Sequence, residues 1–284
     1  ASTYFMRVQT SSSVNFQVLA WGPTTYFNNV FYDLPLFWIY YGLMMVMMVY
    51  NIFLFFTIRE LSYILYSAFI AAYTLFQLTL NGLAFQYLWP NLIWWANNCL
   101  PFFMGIIAMF MAFFFKVYLQ TGRFYRKIDR FILFAFIIPS SIFAAVSLVA
   151  PYRYIIKIAT VNSLFFTFTL IPLAAYMTAR GSRPARFFLI GWSGLLLGIA
   201  AYTLKTFGVL PANLFTNWSI QIGSSLMVVL VSLGLGDNIN TMKKNMERLN
   251  VDIEKKEKEA RERAEYLEGV VNTVKSISGD LLAI

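Results

Sequence analysis

Residues 34–57 read LPLFWIYYGLMMVMMVYNIFLFFT, a run without a single charged side chain. As a helix, at about 1.5 Å of rise per residue, it is about 36 Å long, enough to cross the roughly 30 Å hydrocarbon core of a bilayer. Its apolar residues do not alternate with polar ones, which argues against a barrel strand, and only a helix satisfies all of its own backbone hydrogen bonds in lipid. Six more apolar runs follow, at 61–80, 98–119, 131–149, 155–178, 185–207 and 212–235, free of carboxylates and with only Lys116, Lys157, Arg186 and Lys205 charged. Together they predict an all-α membrane protein built on a seven-transmembrane helix bundle.

The composition agrees. Of 284 residues, 59% are hydrophobic and only 12% charged, against about 25% charged in an ordinary soluble domain. The net charge of +9 is unevenly placed. Thirteen basic and three acidic residues (Asp33, Glu60, Asp129) precede Asp237, and nine basic and ten acidic residues lie from Asp237 onward, giving +10 and −1. Basic charge confined to short loops between apolar spans is better explained by membrane topology than by a phosphate-binding surface, so no nucleic acid is expected as a partner. The loops after spans one, three and five hold Arg59, then Lys116, Arg123, Arg126, Lys127 and Arg130, then Arg180, Arg183 and Arg186. The other side holds Arg7, Arg153, Lys157 and Lys205. The positive-inside bias therefore predicts an extracytoplasmic N-terminus and a cytoplasmic C-terminus. The uncharged stretch NGLAFQYLWPNLIWWANN (81–98) reads as a membrane-hugging aromatic belt on the outer side.

Before the first span, YFMRVQT and VNFQVLAW alternate apolar and polar residues around SSS, the pattern of a short β-hairpin. An isolated hairpin is marginal in water, so residues 1–30 are expected to be the end of an extracytoplasmic β-domain in a longer protein. Residues 31–236 form the bundle, and 237–284 a cytoplasmic coiled-coil signalling helix. Within that tail a 3-4 apolar seam runs through Ile239, Met242, Met246, Leu249, Ile253, Leu267, Val270, Val274 and Ile277, interrupted by Lys256 and Arg263. The seam predicts a parallel homodimer. Glu254 with Lys258, and Glu257 with Arg261, solubilise its outer face. Gly234 and Gly236, between bundle and tail, read as either a helix end or a flexible joint.

Chemistry is sparse. The sequence has no histidine and one cysteine, Cys99, so the commonest metal ligand, the usual general base and any internal disulfide are missing. The spans carry no carboxylate, which argues against an ion pump or an intramembrane aspartyl protease, and no lysine sits at the centre of the last span, as a retinal protein requires. No cofactor or metal is expected, and no enzyme. The MMVMM run supplies adaptable packing, and Asn51 reads as an interhelical hydrogen-bonding residue. Gln77, Asn81, Asn162, Lys205 and Gln221 fall in the outer half of their spans and are candidates to line an outward-opening pocket, or to bond helix to helix. Pro139 and Pro172 interrupt spans four and five, which keeps a transporter or channel with an assembly coiled coil as the alternative reading.

Three stretches carry a resemblance: YYGLMMVMMVYNIFLFFTIRELSYILY (40–66), LTLNGLAFQYLWPN (78–91) and SLGLGDNINTMKK (232–244). Over about residues 34–245 the chain resembles the bacterial seven-transmembrane receptors with diverse intracellular signalling modules. The hairpin is similar to the end of the jelly-roll domain of one branch. The resemblance implies a sensor in the bacterial inner membrane, with an outer domain for a small, often carbohydrate-like ligand, a seven-helix transducer and a cytoplasmic output domain or signalling partner. No kinase phosphoacceptor histidine and no Gly-Gly-Asp-Glu-Phe cyclase motif occurs in these 284 residues.

Overall fold

The computed structural model describes residues 22–281, and the expected hairpin at 4–18 lies outside them. Among the described residues every regular element is helical: α1 (Pro23–Ile58), α2 (Leu61–Leu80), α3 (Leu83–Tyr87), α4 (Ile93–Tyr118), α5 (Thr121–Phe124), α6 (Arg126–Ile132), α7 (Ile138–Val146), α8 (Tyr152–Ala179), α9 (Arg183–Thr206), α10 (Leu214–Asn217) and α11 (Ser219–Leu281). A π-helical turn, Leu133–Ile137, joins α6 to α7. Seven helices are long and apolar enough to cross a membrane: Leu34–Ile58, Leu61–Leu80, Ile93–Tyr118, Arg126–Val146, Tyr152–Ala179, Arg183–Thr206 and Ser219–Ile239.

The boundaries follow local chemistry. α1 starts at Pro23, whose fixed φ suits a first helical position, so residues 23–30, expected in the β-domain, are helical. It ends where Arg59 turns left-handed, at φ 61°, and its N–H closes on the Phe55 carbonyl at 2.8 Å. Glu60 is extended and α2 begins at once, so the first two spans form a tight antiparallel pair. The outer loop is partly ordered: Gly82 takes φ 74°, α3 follows, and Trp94 and Trp95 already belong to α4. Span seven begins later than hydropathy suggests. Asn213 and Thr216 close a capping box on each other's backbone N–H at 2.9 and 3.0 Å, fixing α10 as a separate turn. In span four, Pro139 has no N–H to give the Ala135 carbonyl, and the preceding backbone widens into the π turn, where the N–H of Ile138 reaches the Leu133 carbonyl. α8 continues through Pro172.

The chain divides into two compact units, 1–235 and 236–284. In the first, α4 is the hub, packed against α2, α7 and α8, while α1 lies on α2 and α8 on α9. The core is aromatic. Tyr63, Tyr66 and Phe69 of α2 and Phe114, Phe115 and Tyr118 of α4 are all buried, and the rings of Tyr66, Phe114 and Tyr118 follow one another at 4.8 and 4.9 Å. The outside is equally apolar, with Ile39, Val46, Phe53, Phe168 and Leu197 each more than half exposed. Such a surface is stable against lipid and not against water.

In the second unit the backbone is helical from Gly236 to Leu281. The seam residues Met246, Leu249, Ile253 and Leu267 are exposed. The helix also runs through Met242, Val270, Val274 and Ile277, whose side chains are outside the described residues. Helical hydrogen bonding continues through Gly234 and Gly236, so no helix ends there.

Candidate functional site

Four side chains of α1 and α2, Tyr40, Asn51, Tyr63 and Tyr66, bond to the first part of α11. Toward the Ser219 end, the Tyr40 hydroxyl of α1 meets Ser224 Oγ at 3.1 Å. Phe37 packs on Trp218 one turn above, with ring centroids 4.5 Å apart. On α2, Gln77 Nε2 donates to the Tyr73 hydroxyl at 3.1 Å, and Asn81 Nδ2 to the Tyr41 hydroxyl at 2.7 Å. Tyr40 and Tyr41 meet edge to face at 5.0 Å, linking the Asn81–Tyr41 pair to the Tyr40–Ser224 pair. All of these groups are neutral. They can donate and accept hydrogen bonds but offer no acid, base or nucleophile poised for chemistry.

Deeper in the bundle the contacts become a clamp. Asn51, fully buried, donates from Nδ2 to Ser232 Oγ at 3.0 Å and to its own helix at the Met47 carbonyl at 2.8 Å. Tyr66 donates to the Val228 carbonyl and Tyr63 to the Leu235 carbonyl, each at 3.0 Å. These carbonyls belong to a helix, so the hydroxyls add a second donor without displacing the helical bond. Opposite them, α9 approaches through glycines. A Cβ built on Gly191 would meet the Met227 carbonyl at 3.3 Å, one on Gly194 the Leu226 side chain at 3.1 Å, and one on Gly198 would strike the Ser219 carbonyl. This stripe of small residues lets two backbones approach closely in lipid, where shape complementarity replaces the hydrophobic drive.

Of the residues singled out from sequence, Gln77 and Asn81 enter the tyrosine network. Gln221 lines a separate groove of about 540 Å³ between α1 and α11, with Leu36, Tyr40, Trp218, Ser225 and Leu226, and its buried Oε1 has no hydrogen-bond partner. Lys205 lies over the Tyr202 ring at 5.1 Å. Asn162 is half-buried on α8, and neither it nor Lys205 joins the network by a hydrogen bond or ring contact. Sequence reasoning did not find the tyrosines, since a tyrosine in an apolar run reads as aromatic packing; the signal was the spacing of Tyr63, Tyr66 and Tyr73, which puts their hydroxyls on one face of α2. Among the described residues no group of metal-ligating side chains comes together.

A family model for 7TM diverse intracellular signalling matches residues 33–238, the whole of the bundle. The chain belongs to this family. No curated protein and no solved structure matched it. Membership of the diverse intracellular signalling family makes the bundle a membrane-embedded sensor or receptor domain with intracellular signalling partners. The family match ends at residue 238, inside α11, after every clamp contact described above.

One consequence is measurable on stability. Tyr63→Phe and Tyr66→Phe each remove a hydroxyl bond to α11 and keep the ring, so each is expected to lower the unfolding free energy by about 0.6 to 1.5 kcal/mol. Unfolding by dodecyl sulfate in mixed micelles reads this directly, and a pair of neutral substitutions would show that these hydroxyls do not hold the helix.

Proposed function

We propose that the chain is the non-enzymatic transmembrane relay of a receptor. A small extracytoplasmic ligand, carbohydrate-like as the resemblance implies, shifts the bundle between two arrangements, and α11 carries the difference to a cytoplasmic output through a parallel homodimeric helix. The N-terminus lies outside the bacterial inner membrane and the tail inside, as the basic loops favour. The observation that carries the reading is that the helix gripped by α1, α2 and α9 between Ser219 and Leu235 is the same hydrogen-bonded helix that continues to Leu281. Its grip is a set of weak neutral bonds, so a ligand needs only a few kcal/mol of preference for one arrangement to move the population. The exposed seam supports the dimer: Leu249 and Ile253 are 61% and 47% exposed, and a second copy of the helix would cover them. The transporter alternative lacks a pair of broken helices, since α8 passes through Pro172 unbroken.

Oxidative cross-linking in native membranes tests the relay. In a Cys99→Ser background, Leu249→Cys and Ile253→Cys are expected to form disulfide-linked dimers several-fold more than Asn250→Cys and Glu254→Cys, because a disulfide needs Cβ atoms about 4 Å apart and only seam positions face their counterparts across a parallel pair. Equal yields at all four positions would remove the dimeric seam and with it the proposed output path.

A further inference from the structure

The basic end of span four has a feature that the relay does not use. Arg126, Lys127 and Arg130 line a groove of about 750 Å³ together with Phe131, Phe134 and Ala135. A second groove, about 560 Å³, shares Lys127 and Phe131 with the first and is walled by Phe168, Pro172, Leu173 and Tyr176 of α8. The three cations are exposed and among the described residues have no carboxylate partner. Asp129, the acid beside them in sequence, is engaged elsewhere, by Lys116 at 3.2 Å and by the Thr121 hydroxyl at 2.8 Å.

We infer that this double groove is a binding site for one anionic phospholipid. Its phosphate rests on Arg126, Lys127 and Arg130, and its acyl chains pass on either side of Phe131, one along Phe134 and Ala135 and the other along Phe168 and Leu173. The dimensions suit it: from Arg126 to Ala135 a helix advances about 13 Å, the distance from a headgroup into the upper acyl region. Charge favours a phosphate without a neighbouring ammonium, since three unneutralised cations repel a choline headgroup. The walls below the cations choose a lipid over other anions. Phe134 is 63% and Phe168 76% exposed on the lipid-facing surface, where a free phosphate gains nothing and a peptide would leave backbone groups unpaired in hydrocarbon. The site borders the π turn at Leu133–Ile137, so a bound lipid braces the place where Pro139 removes a helical bond.

Native mass spectrometry of the purified full chain, titrated with phosphatidylglycerol or phosphatidylcholine of matched chain length, tests the site. The wild type is expected to hold one phosphatidylglycerol about tenfold or more tightly than phosphatidylcholine. R126Q/K127Q/R130Q is expected to remove that preference, whereas R59Q/R183Q/R186Q, which deletes the same charge elsewhere at this end, is expected to keep it within about twofold. Ala135→Trp fills the groove without touching charge and is expected to weaken retention several-fold, which keeps the test decisive if the triple variant does not fold. Three results would overturn the proposal: equal retention of both lipids by the wild type, an equal loss in the two triple variants, or displacement of the lipid by millimolar inorganic phosphate, which would mark a free-anion site.

Discussion

Replacing Gly223 with leucine is expected to leave no folded bundle. A Cβ at this position would lie 2.7 Å from the Gly194 carbonyl oxygen and 3.1 Å from Leu195 Cα, and both are backbone atoms that cannot rotate aside. The helices would have to separate, and one point of separation undoes several contacts, because α9 and α11 run antiparallel in a fixed register. Gly198 faces Ser219, Gly194 faces Gly223 and Leu226, and Gly191 faces Met227 and Val231. Even alanine is expected to cost about 1 to 3 kcal/mol as overpacking. Leucine adds three carbons with no space to enter, and the loss approaches the whole stability of a typical protein, about 5 to 15 kcal/mol. The control is Gly42→Leu on the exposed side of α1, where nothing lies within 4 Å of an added Cβ and a better helix former replaces glycine. Yield of monodisperse protein and its thermal midpoint in detergent separate the two variants. Similar behaviour would mean that α9 and α11 do not approach as closely as the structure has them.

This dependence on close backbone approach marks the limit of what the sequence could convey. The spans were legible because hydrocarbon imposes one dominant demand, about 20 apolar residues per crossing, and 61–80 was placed without error while 34–57 fell one residue short. Errors arose where local chemistry outweighed hydropathy. Arg126, Lys127, Asp129 and Arg130 are charged yet helical, because the helix continues beyond the apolar region, and the Asn213–Thr216 box delayed the start of the last apparent run. In the candidate site, Gln77 and Asn81 were recognisable as polar residues in apolar surroundings. Their partners Tyr41 and Tyr73 were not, because a phenol packs as a hydrophobe and reveals its bond only when a neighbouring helix is in place. Gly191, Gly194, Gly198 and Gly223 lie in two segments whose mutual register no local pattern specifies. Glycine between bundle and tail suggested flexibility for the same reason: composition gives its freedom and not its neighbours.

Gly234→Ala and Gly236→Ala are expected to differ sharply although only one residue separates them. At Gly234 a Cβ would lie 2.5 Å from Phe187 Cβ and 2.6 Å from the Tyr118 hydroxyl, whereas at Gly236 nothing is within 4 Å. Tyr118 is buried and Phe187 is held by α9, so the added methyl pushes α11 away from α4 and α9 beside the Tyr63 bond to the Leu235 carbonyl. The expected loss for Gly234→Ala is about 1 to 3 kcal/mol, while Gly236→Ala gains up to about 1 kcal/mol from helix propensity. The two variants also separate roles in the proposed relay. If Gly234 serves close packing, its alanine variant shifts the seventh helix in the absence of ligand, and Leu249→Cys cross-linking changes in resting membranes while Gly236→Ala leaves it unchanged. If both glycines act as a joint, the alanine variants stiffen the helix alike, stability stays constant or rises in both, and resting cross-linking moves together. The geometry argues for the first outcome, since a glycine whose missing side chain is occupied by two neighbouring rings is fixed by its surroundings, however free its own backbone is.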